Sequence, residues 1–195
     1  FIKIGVNDFI TKPFTKEEFA CRINMNMDAL ESIERIKDLS NRDFLTNLYN
    51  RKFFIEKSNS LLSANKQSAL AIFIVDHFKK LNNEFGEETG DMVLKSLGII
   101  AKEHFSKSHF LFRLEGKKFA VLIPGITKEA AIPLFENFCS KVSSIPLNVN
   151  GNRIEITISV GLSISDNSNS TLRIKEAEEL LSEARNSGRN RVAAR

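Results

Sequence analysis

The stretch FLFRLEGKKFAVLI, residues 110–123, decides the fold. Two apolar runs, residues 110–114 and 119–123, flank Glu115-Gly116-Lys117-Lys118. Two such runs with a short glycine-containing gap read as a β-hairpin. Upstream, residues 69–75 (ALAIFIV) are continuously apolar, as in a strand buried on both faces. Downstream, residues 153–165 alternate through Ile154, Ile156, Ile158 and Val160, which predicts a strand with one wet face. Helices are predicted at 50–62, 90–105, 127–143 and 171–186. The second carries the stripe Val93, Leu94, Leu97, Ile100, Ala101 and Phe105, and Gly188 stops the last. A short final strand is expected around Val192. Helices and strands mixed around a central hairpin predict an α+β fold with a mainly antiparallel central sheet flanked by helices.

Ahead of this unit, residues 8–11 read as a short strand-like piece, ended by the restriction that Pro13 places on Lys12. Thr15-Lys16-Glu17-Glu18 is a capping box, a helix start. The following apolar positions are Phe19, Ile23, Met27, Leu30, Ile33 and Ile36. Their spacing shortens from four residues to three, so the stripe drifts around the helix and predicts one partner early and another late. No proline or glycine interrupts residues 14–43, which predicts one long connecting helix.

Composition narrows the function. The 195 residues are 42% hydrophobic and carry 28 basic against 24 acidic side chains, a soluble globular balance. The charges are interspersed and the basic residues do not cluster with aromatics, which disfavours nucleic acid and anionic membranes as partners. No run reaches the about 18 apolar residues a membrane span needs. No signal-peptide pattern is present, so the expected location is cytoplasmic. No G-x-x-x-x-G-K-[ST] exists, which excludes a P-loop hydrolase. Cys21 and Cys139 lie far apart, without C-x-x-C or a cysteine–histidine cluster. Both sit among apolar neighbours and are expected as buried free thiols, not as zinc ligands or a disulfide. The first residue is Phe1 rather than Met, as in a fragment of a longer chain.

Five segments, in order, then carry a family resemblance. Residues 43–51 (DFLTNLYNR) look like D-x-L-T-x-L-x-N-R. Residues 76–83 (DHFKKLNN), with Gly90-Asp91, look like D-x-D-x-F-K-x-x-N-D…G-D. Residues 113–119 (RLEGKKF) take the place of R-x-G-G-D/E-E-F. Residues 157–161 (TISVG) look like T-x-S-x-G, and residues 184–190 (ARNSGRN) like A-K-x-x-G-R-N. Residues 43–195 thus resemble a GGDEF domain, the catalytic domain of diguanylate cyclases, in degenerate form. Residues 5–14 (GVNDFITKPF) resemble the G-A-x-D-Y-I-x-K-P-F tail of a response-regulator receiver domain. In that resemblance Lys12 is the switch lysine and Pro13 follows a cis bond. The implied organisation is a receiver tail at 1–32, a linker helix at 33–42 and the GGDEF-like domain at 43–195.

The resemblance implies a reaction in which two GTP molecules, held across a dimer, join into cyclic di-GMP with divalent metal. It takes the metal ligands from the first Asp of D-x-D and from the acidic pair of the hairpin. Ile74 occupies the first place, and Lys117 and Lys118 occupy the second. A like-charge contact at about 4 Å costs about 4 kcal/mol at an effective dielectric near 20, so a metal there is opposed. The first hairpin glycine is also replaced, by Glu115. The expectation is that catalysis is lost, with no cofactor, and Mg²⁺ only if the chain is an active cyclase after all.

Nucleotide binding is a separate expectation. The guanine-reading pair matches Asn82 and Asp91, and the phosphate contacts match Phe78, Lys79, Arg185 and Arg189. Asp91 could instead only cap the helix after Gly90, and Arg189 could be a surface charge. Lysine at the hairpin could itself contact phosphate. The inhibitory R-x-x-D positions hold Ser106 and His109, so that site is expected to be absent. His109 reads as a strand-edge residue, His104 as an exposed helix residue, and His77 carries no role. The resulting expectation is an inactive output domain of bacterial two-component signalling, acting through GTP binding or protein contacts. Its partners would be GTP, another protein or a second copy, and an upstream histidine kinase. The alternatives are an active diguanylate cyclase and a ligand-free dimerisation scaffold.

Overall fold

A computed structural model describes residues 8–64, 67–165 and 169–195. Gly5, Val6 and Asn7 of the receiver-like stretch lie outside the described residues. The chain divides after Asn41 into two units.

In the first unit, α1 spans Lys16–Ser40. Its start is the predicted one: the Thr15 side chain accepts from the Glu18 amide at 3.1 Å. It ends as the Asn41 amide turns back onto the Lys37 and Asp38 carbonyls. The Lys12–Pro13 peptide is cis. Residues 8–11 are not a strand. No second strand exists among the described residues of this unit, and a lone strand is not stable. Asp8 instead binds Arg22 at 2.9 Å and Asn26 at 3.2 Å, so the segment is tied to α1 by side chains. Among the described residues nothing buries the apolar stripe: no residue of α1 is buried, and Ile36 is 65% exposed. Cys21, expected inside, is exposed.

The second unit runs α2 (Arg51–Ala64), β1 (Ser68–Val75), α3 (Phe78–Phe85), α4 (Glu87–His104), β2 (Phe110–Glu115), β3 (Lys118–Pro124), α5 (Lys128–Ser144), β4 (Leu147–Val149), β5 (Asn152–Ile154), β6 (Ile158–Ser165), α6 (Ser170–Asn186) and β7 (Arg191–Ala194). The central sheet has the order β2-β3-β1-β6-β7. All its pairs are antiparallel except β6 with β7, so the fold is α+β as predicted.

β1 explains the continuous apolar run. Ala69, Ala71, Phe73 and Val75 join the larger core, with Leu97, Phe119, Phe135 and Phe138. Leu70, Ile72 and Ile74 face a smaller core, with Phe112, Leu122, Ala177 and Leu181. Alternation thus buries both faces of one strand. Two expectations are corrected. The strand expected over 153–165 is two, because 155–157 leave the ladder and β5 pairs with β4. The helix expected from Gly90 starts at Glu87 and is preceded by α3, the two being separated by Gly86 at φ +87°. That angle suits glycine and breaks one helical run into two.

Candidate functional site

The carboxyl end of β1 organises the site through Asp76, which is buried. Its amide donates to the Thr157 carbonyl at 2.9 Å. Its Oδ1 accepts from the Ser159 hydroxyl at 2.7 Å. Its Oδ2 accepts from the Thr157 hydroxyl at 2.8 Å and from the Asn190 amide at 3.2 Å. One carboxylate therefore fastens β1, the entry to β6 and the turn after α6. That turn is tight: Gly188, Arg189 and Asn190 all have positive φ. Left-handed backbone at an arginine is costly and persists only when its surroundings hold it. The bond from the Asn190 amide to Asp76 is one such hold, and it sets Arg189 beside the β1 end.

The hairpin is held from its other side. Arg113 Nε donates to the Gly116 carbonyl at 2.9 Å, and Arg113 also pairs with Asp43 at 3.1 Å. Gly116 takes φ +48° in the turn. The next residue, Lys117, is half-buried and interacts with Arg185, Arg189 and Asp76. Burial lowers its pKa most, Arg185 lowers it further, Asp76 opposes this, and Arg189 adds to the lowering. Lys117 thus feels two arginines and one carboxylate, Asp76, which already accepts three hydrogen bonds.

Lys118 has other partners. It lies 3.3 Å from Glu115 and 3.2 Å from Glu178, and Glu115 pairs with Arg51 at 3.1 Å. The two hairpin lysines were expected to act together against a metal. Only Lys117 faces the other cations, while Lys118 is balanced by an ion-pair network. Ile74, directly opposite Lys118 in the β1–β3 register, is buried in the smaller core.

Asn82 and Asp91, the residues that the resemblance assigns to guanine, stand on two helices that pack closely at Gly90. α3 and α4 meet where Gly90 has no side chain: a Cβ there would lie 2.0 Å from Asn82 Oδ1 and 3.1 Å from the Phe78 ring. Asn82 therefore lies against the residue preceding Asp91. Its Oδ1 is buried, with no hydrogen-bond partner among the described residues. A buried, unpaired amide oxygen costs about 1–3 kcal/mol and calls for a ligand or a functional reason. Asp91 is exposed, one turn inside α4, whose N-cap is Gly86; the capping role open to it in the sequence is not the one it has. Lys79 is exposed in the first turn of α3, Arg185 is exposed in the last turn of α6, and Arg189 is half-buried.

The remaining candidates are scattered. Lys12 is exposed in the first unit. His77 caps α3 in a left-handed conformation, φ 52°. His104, expected outside, is half-buried: its Nε2 lies 3.0 Å from the Leu134 carbonyl, and burial lowers its pKa against that bond. His109 closes a turn before β2, its amide donating to the Ser106 carbonyl at 3.0 Å, and the Ser106 hydroxyl meets that of Ser108. Sequence reasoning missed Asp76, Thr157, Ser159 and Asn190 as the bracket that places the site. They stood in the matched segments, but nothing in their spacing showed that they converge.

The residues present do not fit magnesium, which takes hard oxygen ligands. The places where the family resemblance puts metal ligands hold the alkyl side chain of Ile74 and the ammonium groups of Lys117 and Lys118. No group of three His, Cys, Asp or Glu converges among the described residues.

The comparisons agree with the fold. The family model described as "Diguanylate cyclase, GGDEF domain" matches residues 40–191. YhcK of Bacillus subtilis (strain 168) is 36% identical over 159 residues, covering 77% of this chain and 44% of that protein. The response regulator PleD of Caulobacter vibrioides is 29% identical over 210 residues, covering 100% of this chain and 46% of that protein. The chain thus spans just under half the length of these relatives. Among solved structures, the coiled coil and GGDEF domain of DgcB from Caulobacter crescentus, in complex with c-di-GMP, superposes with a TM-score of 0.81 at 25% identity, covering 92% of this chain and 98% of that one. With its matched hairpin, its bracketed β1 end and the extent of the family match, this chain belongs to the GGDEF family of diguanylate cyclase domains.

Proposed function

We propose that this GGDEF domain binds a guanine nucleotide without joining two into cyclic di-GMP, and serves as the output domain of a response regulator. The observation that carries the reading is Lys117, set among Arg185, Arg189 and Asp76 where the family resemblance calls for a metal-binding carboxylate. An ammonium there neutralises phosphate charge, but it does not activate a hydroxyl as a metal does. Asn82, with its unpaired buried oxygen, and Asp91 beside it supply polar groups for a base. The receiver-like sequence at residues 5–14 and the match to PleD, which covers all of this chain and 46% of that protein, support the response-regulator setting. In that setting a histidine kinase acts upstream, and self-association or a partner protein carries the signal onward.

The test is calorimetry of GTP with the 195-residue chain, with Mg²⁺ and with chelator, alongside product analysis after incubation with Mg²⁺ or Mn²⁺. Binding that persists in chelator and weakens at least about tenfold in Asp91→Ala is expected. Cyclic di-GMP in the product analysis overturns the loss of catalysis. Absence of binding in every condition overturns the nucleotide reading and leaves a protein-contact module.

A further inference from the structure

The register of the sheet gathers positive charge at one end. One row across it reads Lys118, Ile74, Ser159 and Arg191. β3 and β6 run against β1, and β7 runs with β6. The residues just before Lys118 and just before Arg191 therefore both lie past the carboxyl end of β1. They are Lys117 on one side, and on the other Arg189 and Asn190, whose amide reaches Asp76 at 3.2 Å. Arg185, in the last turn of α6, leads into the same turn and acts on Lys117 together with Arg189.

The carboxylates around these cations are committed elsewhere. Asp76 is buried, and both of its oxygens accept hydrogen bonds. Glu115, on the hairpin itself, pairs with Arg51 and Lys118, and Glu178 pairs with Lys118. A hydrated Mg²⁺ carried in on a nucleotide is ordinarily shared between phosphate oxygens and one or two carboxylates. At this end of the sheet it would meet an ammonium and two guanidinium groups. A bound Mg²⁺ also cancels part of the phosphate charge that those cations attract.

We propose that this site takes a guanosine polyphosphate free of metal, and that Mg²⁺ antagonises its binding. Lys117 occupies the phosphate oxygens that a metal would bridge, and those oxygens cannot serve both. The inference rests on the nucleotide reading above and deepens it: it fixes the metal-free form as the ligand and gives the metal's effect the opposite sign to that at a metal-dependent site.

The test titrates GTP into the 195-residue chain by calorimetry, in chelator and in Mg²⁺ exceeding the nucleotide, with sodium chloride holding ionic strength equal. Binding is expected to be at least about tenfold weaker in Mg²⁺. Lys117→Gln, which keeps a polar side chain and loses the charge, weakens binding in chelator and brings the two conditions within about twofold. Lys117→Glu reverses the sign, so that Mg²⁺ strengthens binding. Lys118→Gln keeps the parent's ratio, because the Lys118 ammonium is turned to Glu115 and Glu178. Thermal midpoints check that each variant is folded. Binding in the parent that is equal or tighter in Mg²⁺ overturns the inference and leaves the nucleotide reading standing. A ratio in Lys117→Gln unchanged from the parent also overturns it, since the antagonism would then not come from Lys117. No binding in either condition overturns both.

Discussion

A single side chain, Asp43, illustrates how local bonding sets an acid dependence. Burial pushes its pKa up, but the Thr46 hydroxyl and amide and the Arg113 guanidinium outweigh that and hold it below the ordinary 3.8. Its folded form therefore takes up a proton less readily than its unfolded form. The stability it contributes is fully present above about pH 3.8 and is lost as pH falls through the lowered folded value. Urea midpoints measured from neutral pH down to acid should fall more steeply in the parent than in Asp43→Asn over that window. Parallel curves would show that the Arg113–Asp43 pair does not matter to acid stability. The same arginine holds Gly116, so this pair also steadies the turn that carries Lys117.

Among the elements, the contact between β6 and α6 leaves the least room. A Cβ on Gly161 would lie 2.1 Å from the Ala177 carbonyl and 2.2 Å from the Leu181 amide, both backbone atoms that cannot swing aside. Gly161→Ala must push the helix off the strand. The expected cost is at least the about 1–3 kcal/mol typical of overpacked cores, read as a lower denaturation midpoint with an unchanged slope. An unaltered midpoint would mean that α6 yields without loss. Because α6 ends at the turn carrying Arg189, the same variant should also weaken GTP binding if that turn positions phosphate contacts. The sequence displayed this glycine in T-x-S-x-G, yet alternation alone could not say which helix presses on it.

At the scale of the whole molecule, the two units differ in what holds them. The second has cores on both sheet faces, whereas α1 buries none of its residues. Hydrogen exchange should therefore be fast along residues 16–40 and slow in β1, β3 and β6, since local opening follows the lack of buried contacts. Equal protection in both would show that a partner or a second copy covers α1 in solution. The sequence by itself determined the fold class and most of the elements, though not α3, β4 or the break between β5 and β6, because periodicity, turn chemistry and capping are local and the apolar run of β1 left few arrangements. It also marked Ile74, Lys117 and Lys118 as departures from the family's motif, since residue identity alone shows them. Only the tertiary structure decided that Lys117 lies among Arg185 and Arg189 while Lys118 is neutralised, that Asp76 is spent as a bracket, and that Asn82 keeps a buried oxygen without a partner among the described residues. Those outcomes depend on which segments meet across the sheet, and charge balance and hydrogen bonding between distant residues exist only once they do.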